Sequence, residues 1–306
     1  MPRVFTVMLL AALACAGLAA PACRAQNLTF QDVQRLKAAP ADRRVSYGGG
    51  PQQFGELRLP AGRGPHPVAL LIHGGCWYSE YDLDHVAGLA EALTRLGFAT
   101  WAIEYRRIGD AGGGFPGTFE DVARGADFLH ALAREYPLDL ERVVAVGHSA
   151  GGQLALWLAA RGVAPGDGRA RSPARLRLRG VVSLAGITDM RKFGPRCGGA
   201  AAKLLGGSPA EVPERYEQTS PVELLPARVP VRLVHGAADR IVPVELGREY
   251  EAAAKKSGGD AELSVVEGAG HFELIAPQSS AWPAVRAAVL SLTQDVSPRR
   301  AARDKR

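Results

Sequence analysis

From about residue 67 onward the apolar positions follow two alternating rhythms. Residues 67–72, 98–105, 142–146, Gly180–Leu184, 229–234 and Ala261–Val266 are short runs, mostly β-branched or aliphatic and rich in apolar positions. A strand reads this way when a parallel sheet buries both of its faces. Between them lie longer stretches with helical spacing. Leu83, Val86, Ala90, Leu93 and Leu96 mark residues 82–96, with Gly97 as the stop. Residues 118–135 predict a second amphipathic helix, capped by Thr118 with Asp121 three positions on. Residues 153–160 are apolar nearly all round, Val244–Lys256 follows Pro243, and residues 281–292 close the series. Strands alternating with helices predict an α/β fold, a doubly wound and mostly parallel sheet with helices on both faces. Residues 42–60, around Gly48-Gly49-Gly50-Pro51, predict an antiparallel hairpin at the sheet edge. Two stretches break the rhythm. Residues 161–177, rich in Gly, Pro and Arg, suit an exposed connection, and residues 190–226, with no strand signal, suit a small lid-like insertion above the sheet.

Composition sets the frame for the chemistry. A chain of 306 residues that is 47% hydrophobic has material for one large domain, over residues 26–296, and it carries no internal repeat. Residues 1–25 read as a secretory signal: Arg3 gives a positive start, residues 4–18 an apolar core, and Cys23-Arg24-Ala25 a small-x-small cleavage site. The apolar run is shorter than the roughly 20 residues that span a bilayer, which argues against a stable membrane span. Lipid anchoring through Cys23 is the weaker alternative, since Ala20 and Pro21 make a poor approach to such a cysteine. The expected localisation is therefore exported, periplasmic or secreted. The net charge of +6 sits at the ends: Arg3 and Arg24 leave with the signal, and the tail over residues 297–306 holds five basic residues against Asp304. The body is electrically balanced, which excludes the charge pattern of a nucleic-acid binder. Outside the signal, Cys76 and Cys197 remain. An exported chain can pair them in a disulfide, or bury them as separate small hydrophobes; the disulfide is preferred.

The strand over residues 142–146 runs into Gly147-His148-Ser149-Ala150-Gly151-Gly152 and then into a helix. Gly-x-Ser-x-Gly between a buried strand and a helix is the nucleophile-elbow pattern, in which the serine is lifted clear of the sheet on a strained turn. A serine hydroxyl needs a base and an orienting carboxylate. Of seven histidines, His271 alone follows the last strand in a glycine-flanked loop, where its ring could swing over Ser149. Asp239 and Asp189 both follow strands between Ser149 and His271; Asp239 is preferred because its loop neighbours that of His271, and either could instead cap a helix. His73-Gly74-Gly75-Cys76-Trp77 ends an earlier strand in a turn whose free N–H groups suit an oxyanion. Trp77, Tyr78, Phe115, Phe193 and Phe272 suit a pocket lining and core packing equally.

Taken together, Gly147-His148-Ser149-Ala150-Gly151-Gly152, His73-Gly74-Gly75-x-Trp77, His235-Gly236-x-x-Asp239-x-x-Val242-Pro243 and Gly270-His271-Phe272 resemble the α/β-hydrolase superfamily. Within it the pattern is most similar to hormone-sensitive-lipase-like esterases and kynurenine formamidases. The resemblance implies Ser149 as nucleophile, Asp239 as acid and His271 as base, with the backbone N–H groups of Gly75, Cys76 and Ala150 as oxyanion donors. It implies acyl transfer on a small-molecule ester or formamide substrate with no cofactor and no metal. Cys76 stands where the lipase-like pattern has a third glycine, and His-Gly-Gly-x-Trp is nearer the formamidases. A carboxylesterase for small to medium acyl groups is the leading expectation, an aryl formamidase the alternative. A non-catalytic binding protein on the same scaffold is a third reading.

Overall fold

A computed structural model describes residues 27–161 and 175–293 of the chain. The expected signal, the basic tail and most of the connection at 161–177 lie outside the described residues. Eight strands form one sheet: β1 (Arg43–Ser46), β2 (Phe54–Arg58), β3 (His66–Ile72), β4 (Ala99–Ile103), β5 (Leu138–His148), β6 (Gly180–Leu184), β7 (Val231–Gly236) and β8 (Ala261–Val266). Their order is β1-β2-β4-β3-β5-β6-β7-β8. The β1–β2 and β2–β4 pairs are antiparallel, and the six strands from β4 to β8 in that order are parallel. From β3 the chain first winds outward to β4 and then crosses back to β5. The loops after β3 and β5 therefore diverge and leave a crevice at the carboxyl ends of the central strands, where open α/β sheets bind ligands.

The helices are α1 (Phe30–Gln34), α2 (Ala87–Arg95), α3 (Gly117–Asp127), α4 (Leu129–Leu132), α5 (Ala150–Ala160), α6 (Met190–Phe193), α7 (Arg196–Leu205), α8 (Pro213–Thr219), α9 (Val244–Lys256) and α10 (Trp282–Thr293). They cover both faces of the sheet. Along β3, Val68, Leu70 and Ile72 face one core, and Ala69 and Leu71 the other. The first core is completed by Val122 of α3, Leu154 of α5 and Tyr250 of α9, and the second by Leu93 of α2 and Val289 of α10. Burial on both faces is why these strands lack polar alternation. Each fully buried Val or Leu contributes about 1.5–3 kcal/mol.

Several boundaries differ from the sequence reading, each for a local reason. The helix expected over 82–96 opens as a 3₁₀ turn, Leu83–Val86, capped by Asp82, before α2 begins. The strand expected over 98–105 ends at Ile103, because Glu104 and Tyr105 turn away to bind His73. β5 starts earlier than expected, with Arg142 closing onto Asp139 at 2.6 Å. The cap assigned to Thr118 is not formed. Thr118 lies inside α3 and its hydroxyl donates to Arg106 O at 2.6 Å, while Asp121 accepts two bonds from the Arg106 guanidinium at 2.7 Å each. Residues 190–226 carry α6, α7 and α8. Met190, Phe193, Leu204 and Tyr216 sink into the same core as the sheet, while Arg196 and Cys197 line the cavity described below.

Candidate active site

Ser149 joins β5 to α5 with φ 56° and ψ −120°, a strained conformation for a residue bearing a side chain. Its flanking glycines are required by close packing. A Cβ on Gly147 would lie 2.0 Å from Gly151 O, and one on Gly151 would lie 2.1 Å from Ile72 O. The elbow is thus pressed against the end of β3. Gly74, in the turn after β3, is also constrained, since a Cβ there would lie 2.9 Å from His148 O and 3.0 Å from Ser149 Cβ. Sequence spacing alone does not bring the His73–Trp77 turn to Ser149; the absence of a side chain at Gly74 allows it.

The turn after β3 bends sharply through Gly75, Cys76 and Trp77, with φ of 101°, 50° and 59°. Among the described residues, no protein acceptor takes the N–H of Gly75 or of Cys76. Ala150 is the first residue of α5, where the N–H has no intrahelical partner. The bend is braced from behind. His73 faces acceptors at both ring nitrogens, Gly74 O at 2.9 Å and Glu104 Oε1 at 3.0 Å, and stacks on Tyr105 with ring centroids 4.4 Å apart. Arg107 closes on the same Glu104 oxygen at 2.9 Å. Burial pushes the Glu104 carboxyl up, but His73, Arg107 and the Tyr105 N–H outweigh it and hold the group below its usual range. In front, a disulfide joins Cys76 to Cys197 of α7, with 6.2 Å between Cα atoms.

Across the sheet, His271 Nδ1 lies 2.7 Å from Asp239 Oδ2. Asp239 follows β7 and His271 follows β8, so adjacent parallel strands deliver the two loops side by side. The other carboxylate oxygen, Oδ1, accepts the N–H groups of Ile241 and Val242 at 2.8 and 3.0 Å. Burial pushes Asp239 up, yet the His271 contact and these two N–H donors hold its carboxyl below the ordinary value. With Nδ1–H directed at Asp239, His271 Nε2 is left as its proton acceptor. Asp189, the other acid considered, caps α6 by accepting from Arg191 N and Lys192 N at 3.0 Å each, and makes no contact with His271.

Two histidines set aside in the sequence reading lie beneath this pair. His148 Nε2 is 3.0 Å from the main-chain oxygen of His271, and His148 Nδ1 is 2.8 Å from His85 Nε2. A carbonyl can only accept, so His148 carries its proton on Nε2, and Nδ1 accepts in turn from His85 Nε2–H. His85 Nδ1 is then a bare lone pair, and it is buried with no partner. Burial first, and then the neighbouring imidazoles, hold both rings far below the usual histidine value, hence neutral. No sequence signal singled these residues out, since their contacts span 63 and 123 positions.

Ser149 and His271 open onto one cavity of about 400 Å³, lined also by Gly75, Cys76, Tyr81, His85, Phe272 and two arginines, Arg196 and Arg240. That volume fits a small ligand. Of the five aromatics considered, Phe272 alone lines it. Trp77 and Phe193 are fully buried and meet edge to face, with Trp77 Nε1 donating to Gln153 Oε1 at 3.2 Å. Phe115 packs on Phe119, and the Tyr78 hydroxyl donates to Cys197 O. Among the described residues, no group of three or more His, Cys, Asp or Glu side chains is placed to hold a metal, and no helix is long and apolar enough to cross a membrane.

Comparison with known proteins adds to this geometry. A family profile described as BD-FAE matches residues 56–253. A probable isoprenylcysteine alpha-carbonyl methylesterase, ICMEL1, from Oryza sativa subsp. japonica is 27% identical over 248 residues, 76% of this chain and 57% of the relative. LipM of Mycobacterium tuberculosis, a probable carboxylic ester hydrolase, is 28% identical over 196 residues, 61% of this chain and 44% of the relative. The chain spans about half the length of the curated relatives it matches. Among solved structures, a truncated carbohydrate esterase from gut microbiota superposes with a TM-score of 0.72 at 20% identity, covering 83% of this chain and 99% of that one. An esterase of Thermogutta terrifontis superposes with a TM-score of 0.65 at 22% identity, covering 82% and 92%. At these identities the superpositions establish the fold alone, an α/β-hydrolase fold.

Proposed function

This chain belongs to the BD-FAE family, and from that membership we propose that it hydrolyses carboxylic esters of small to medium acyl groups through an acyl-enzyme on Ser149. The observation that carries the reading is the Asp239–His271 contact at 2.7 Å, opening onto the same cavity as a serine held at positive φ. The names borne by the relatives from rice and Mycobacterium tuberculosis support it.

In the proposed mechanism His271 Nε2 takes the Ser149 proton as Oγ attacks the ester carbonyl carbon. Asp239 stabilises the imidazolium that forms. The N–H groups of Gly75, Cys76 and Ala150 receive the developing oxyanion, each such donor lowering the barrier by about 3–4 kcal/mol. The imidazolium then protonates the departing alcohol oxygen as the tetrahedral adduct collapses to the acyl-enzyme. A water molecule, deprotonated by His271, attacks the acyl carbonyl, and return of the proton to Ser149 Oγ releases the acid. No step calls for a metal or an organic cofactor. Export through the leader at residues 1–25 is part of the proposal, and the Cys76–Cys197 disulfide supports an oxidising compartment.

The test is turnover of p-nitrophenyl acetate, butyrate and octanoate beside N-formylkynurenine by wild type and Ser149→Ala. Ester hydrolysis that is abolished in the variant, with short chains preferred, is the expected result. Preference for the formamide would move the assignment to amide hydrolysis, and activity retained in Ser149→Ala would overturn the nucleophile.

A further inference from the structure

The cavity around Ser149 has an uneven charge distribution. Arg196 and Arg240 line it, whereas no aspartate or glutamate does. Neither arginine makes an ion pair or a side-chain hydrogen bond among the described residues. Arg106, Arg161, Arg191 and Arg232, away from the cavity, are each closed onto a carboxylate.

Both arginines are exposed, and each adjoins an anchored residue. Arg196 immediately precedes Cys197, which the disulfide ties to Cys76 in the proposed oxyanion turn. Arg240 immediately follows Asp239, whose carboxylate is held by His271, Ile241 and Val242. The two arginines therefore line the cavity from two separate segments, each next to an anchored residue. A third cation adjoins the first segment: Lys203 Nζ donates to the Tyr78 hydroxyl at 3.1 Å, and that hydroxyl donates to Cys197 O, also at 3.1 Å. The nearby carboxylates do not pair with these arginines. Asp239 is engaged with His271, and Glu267, which lines the adjoining groove together with Arg240, forms no ion pair with it.

We propose that Arg196 and Arg240 form a subsite for a carboxylate carried by the substrate, so that the preferred esters are acidic ones. The inference rests on the esterase reading above and narrows its substrate class. A guanidinium presents a planar fork of donors that matches a carboxylate bidentately, and in a cavity free of competing carboxylates that interaction is not cancelled. The substrate's carboxylate would be drawn to the arginines while its ester carbonyl reaches Ser149.

The experiment compares charged and neutral substrates of similar size. Monoethyl adipate against ethyl hexanoate places the carboxylate on the acyl side, and 4-acetoxybenzoate against 4-acetoxybenzamide places it on the alcohol side. For at least one pair, kcat/KM for the acid exceeds that of its neutral partner by about tenfold. The excess shrinks as salt rises from about 20 to 500 mM, as screening requires. Arg196→Gln with Arg240→Gln brings the ratio towards one, and Arg196→Glu drives it lower still. A ratio of one or less for both pairs in the wild type, or a ratio unmoved by these substitutions, overturns the inference while neutral esters still report an active esterase. If neutral esters too are untouched, the esterase reading fails and this inference fails with it.

Discussion

Replacing both Cys76 and Cys197 with alanine removes a cross-link between residues 121 positions apart and leaves no odd thiol behind. In the chain-entropy treatment, freeing a loop of that length stabilises the unfolded state by about 5 kcal/mol, near the upper end of what disulfide removal costs. Native contacts should change little, because the Tyr78 hydroxyl donates to the main-chain oxygen of Cys197 rather than its sulfur, and Lys203 donates to that hydroxyl. For a domain of this size, a loss of about 5 kcal/mol corresponds to a fall in Tm of roughly 10–20 °C. Urea unfolding of wild type and double variant, each with and without dithiothreitol, measures it. The expected result is a lower midpoint and a larger m-value for the variant, because its unfolded state is more expanded. The reduced wild type should match the variant. A second readout is kcat. If the cystine holds the Cys76 N–H in place, the variant loses rate, but by less than the 100- to 1000-fold that accompanies outright removal of one oxyanion donor. A double variant within about 0.5 kcal/mol of wild type, or a wild type indifferent to reductant, would refute the reasoning.

Asp239→Asn should lower kcat by about 10³–10⁴-fold with circular dichroism unchanged, because an amide cannot stabilise the imidazolium. Asp189→Ala should instead lose about 1 kcal/mol of stability, from the uncapped α6, with kcat little altered; the reverse outcome would exchange the two assignments. Gly147→Ala brings a methyl group to 2.0 Å from Gly151 O, so a destabilisation above about 4 kcal/mol, or failure to express as folded protein, is expected, and a well-folded variant would contradict the elbow geometry. Stability should also fall on mild acidification. His85 and His148 stay neutral in the fold, while the unfolded chain protonates them near 6.5, so the unfolded state binds more protons below that pH. Stability present above pH 6.5 is therefore lost as pH falls, by about 1.4 kcal/mol per pH unit for each histidine. Urea unfolding at pH 7.5, 6.5 and 5.5 should show that slope, reduced by one such increment in His85→Leu. Asp239 and Glu104, both held low, contribute stability above pH 3.8 and 4.5 that is lost further down.

The fold was legible because its signals are local. β6, α9 and β8 begin and end where periodicity places them, since each is bounded by its own turn residues. Misplaced boundaries had non-local causes. β4 gives up Glu104 and Tyr105 to a histidine 31 and 32 residues away, and Asp121 is drawn from the expected cap to Arg106. A pattern read in a window of a dozen residues contains neither partner.

The candidate site divides along the same line, and its two aspartates show where the division falls. Asp189 and Asp239 each follow a parallel strand, and each accepts two main-chain N–H groups through one carboxylate oxygen. Local sequence sees them as alike. What separates them is the second oxygen. The β7 loop lies beside the β8 loop, so Asp239 Oδ2 meets His271, whereas β6 lies one strand further away. Strand order is thus the physical reason for preferring one acid, and it follows from counting strands rather than from any motif. The support under His271 has no such shortcut. His148 acts on a main-chain oxygen, which every residue carries, and His85 acts on His148 alone. Their roles reside in two proton positions that only the folded arrangement determines.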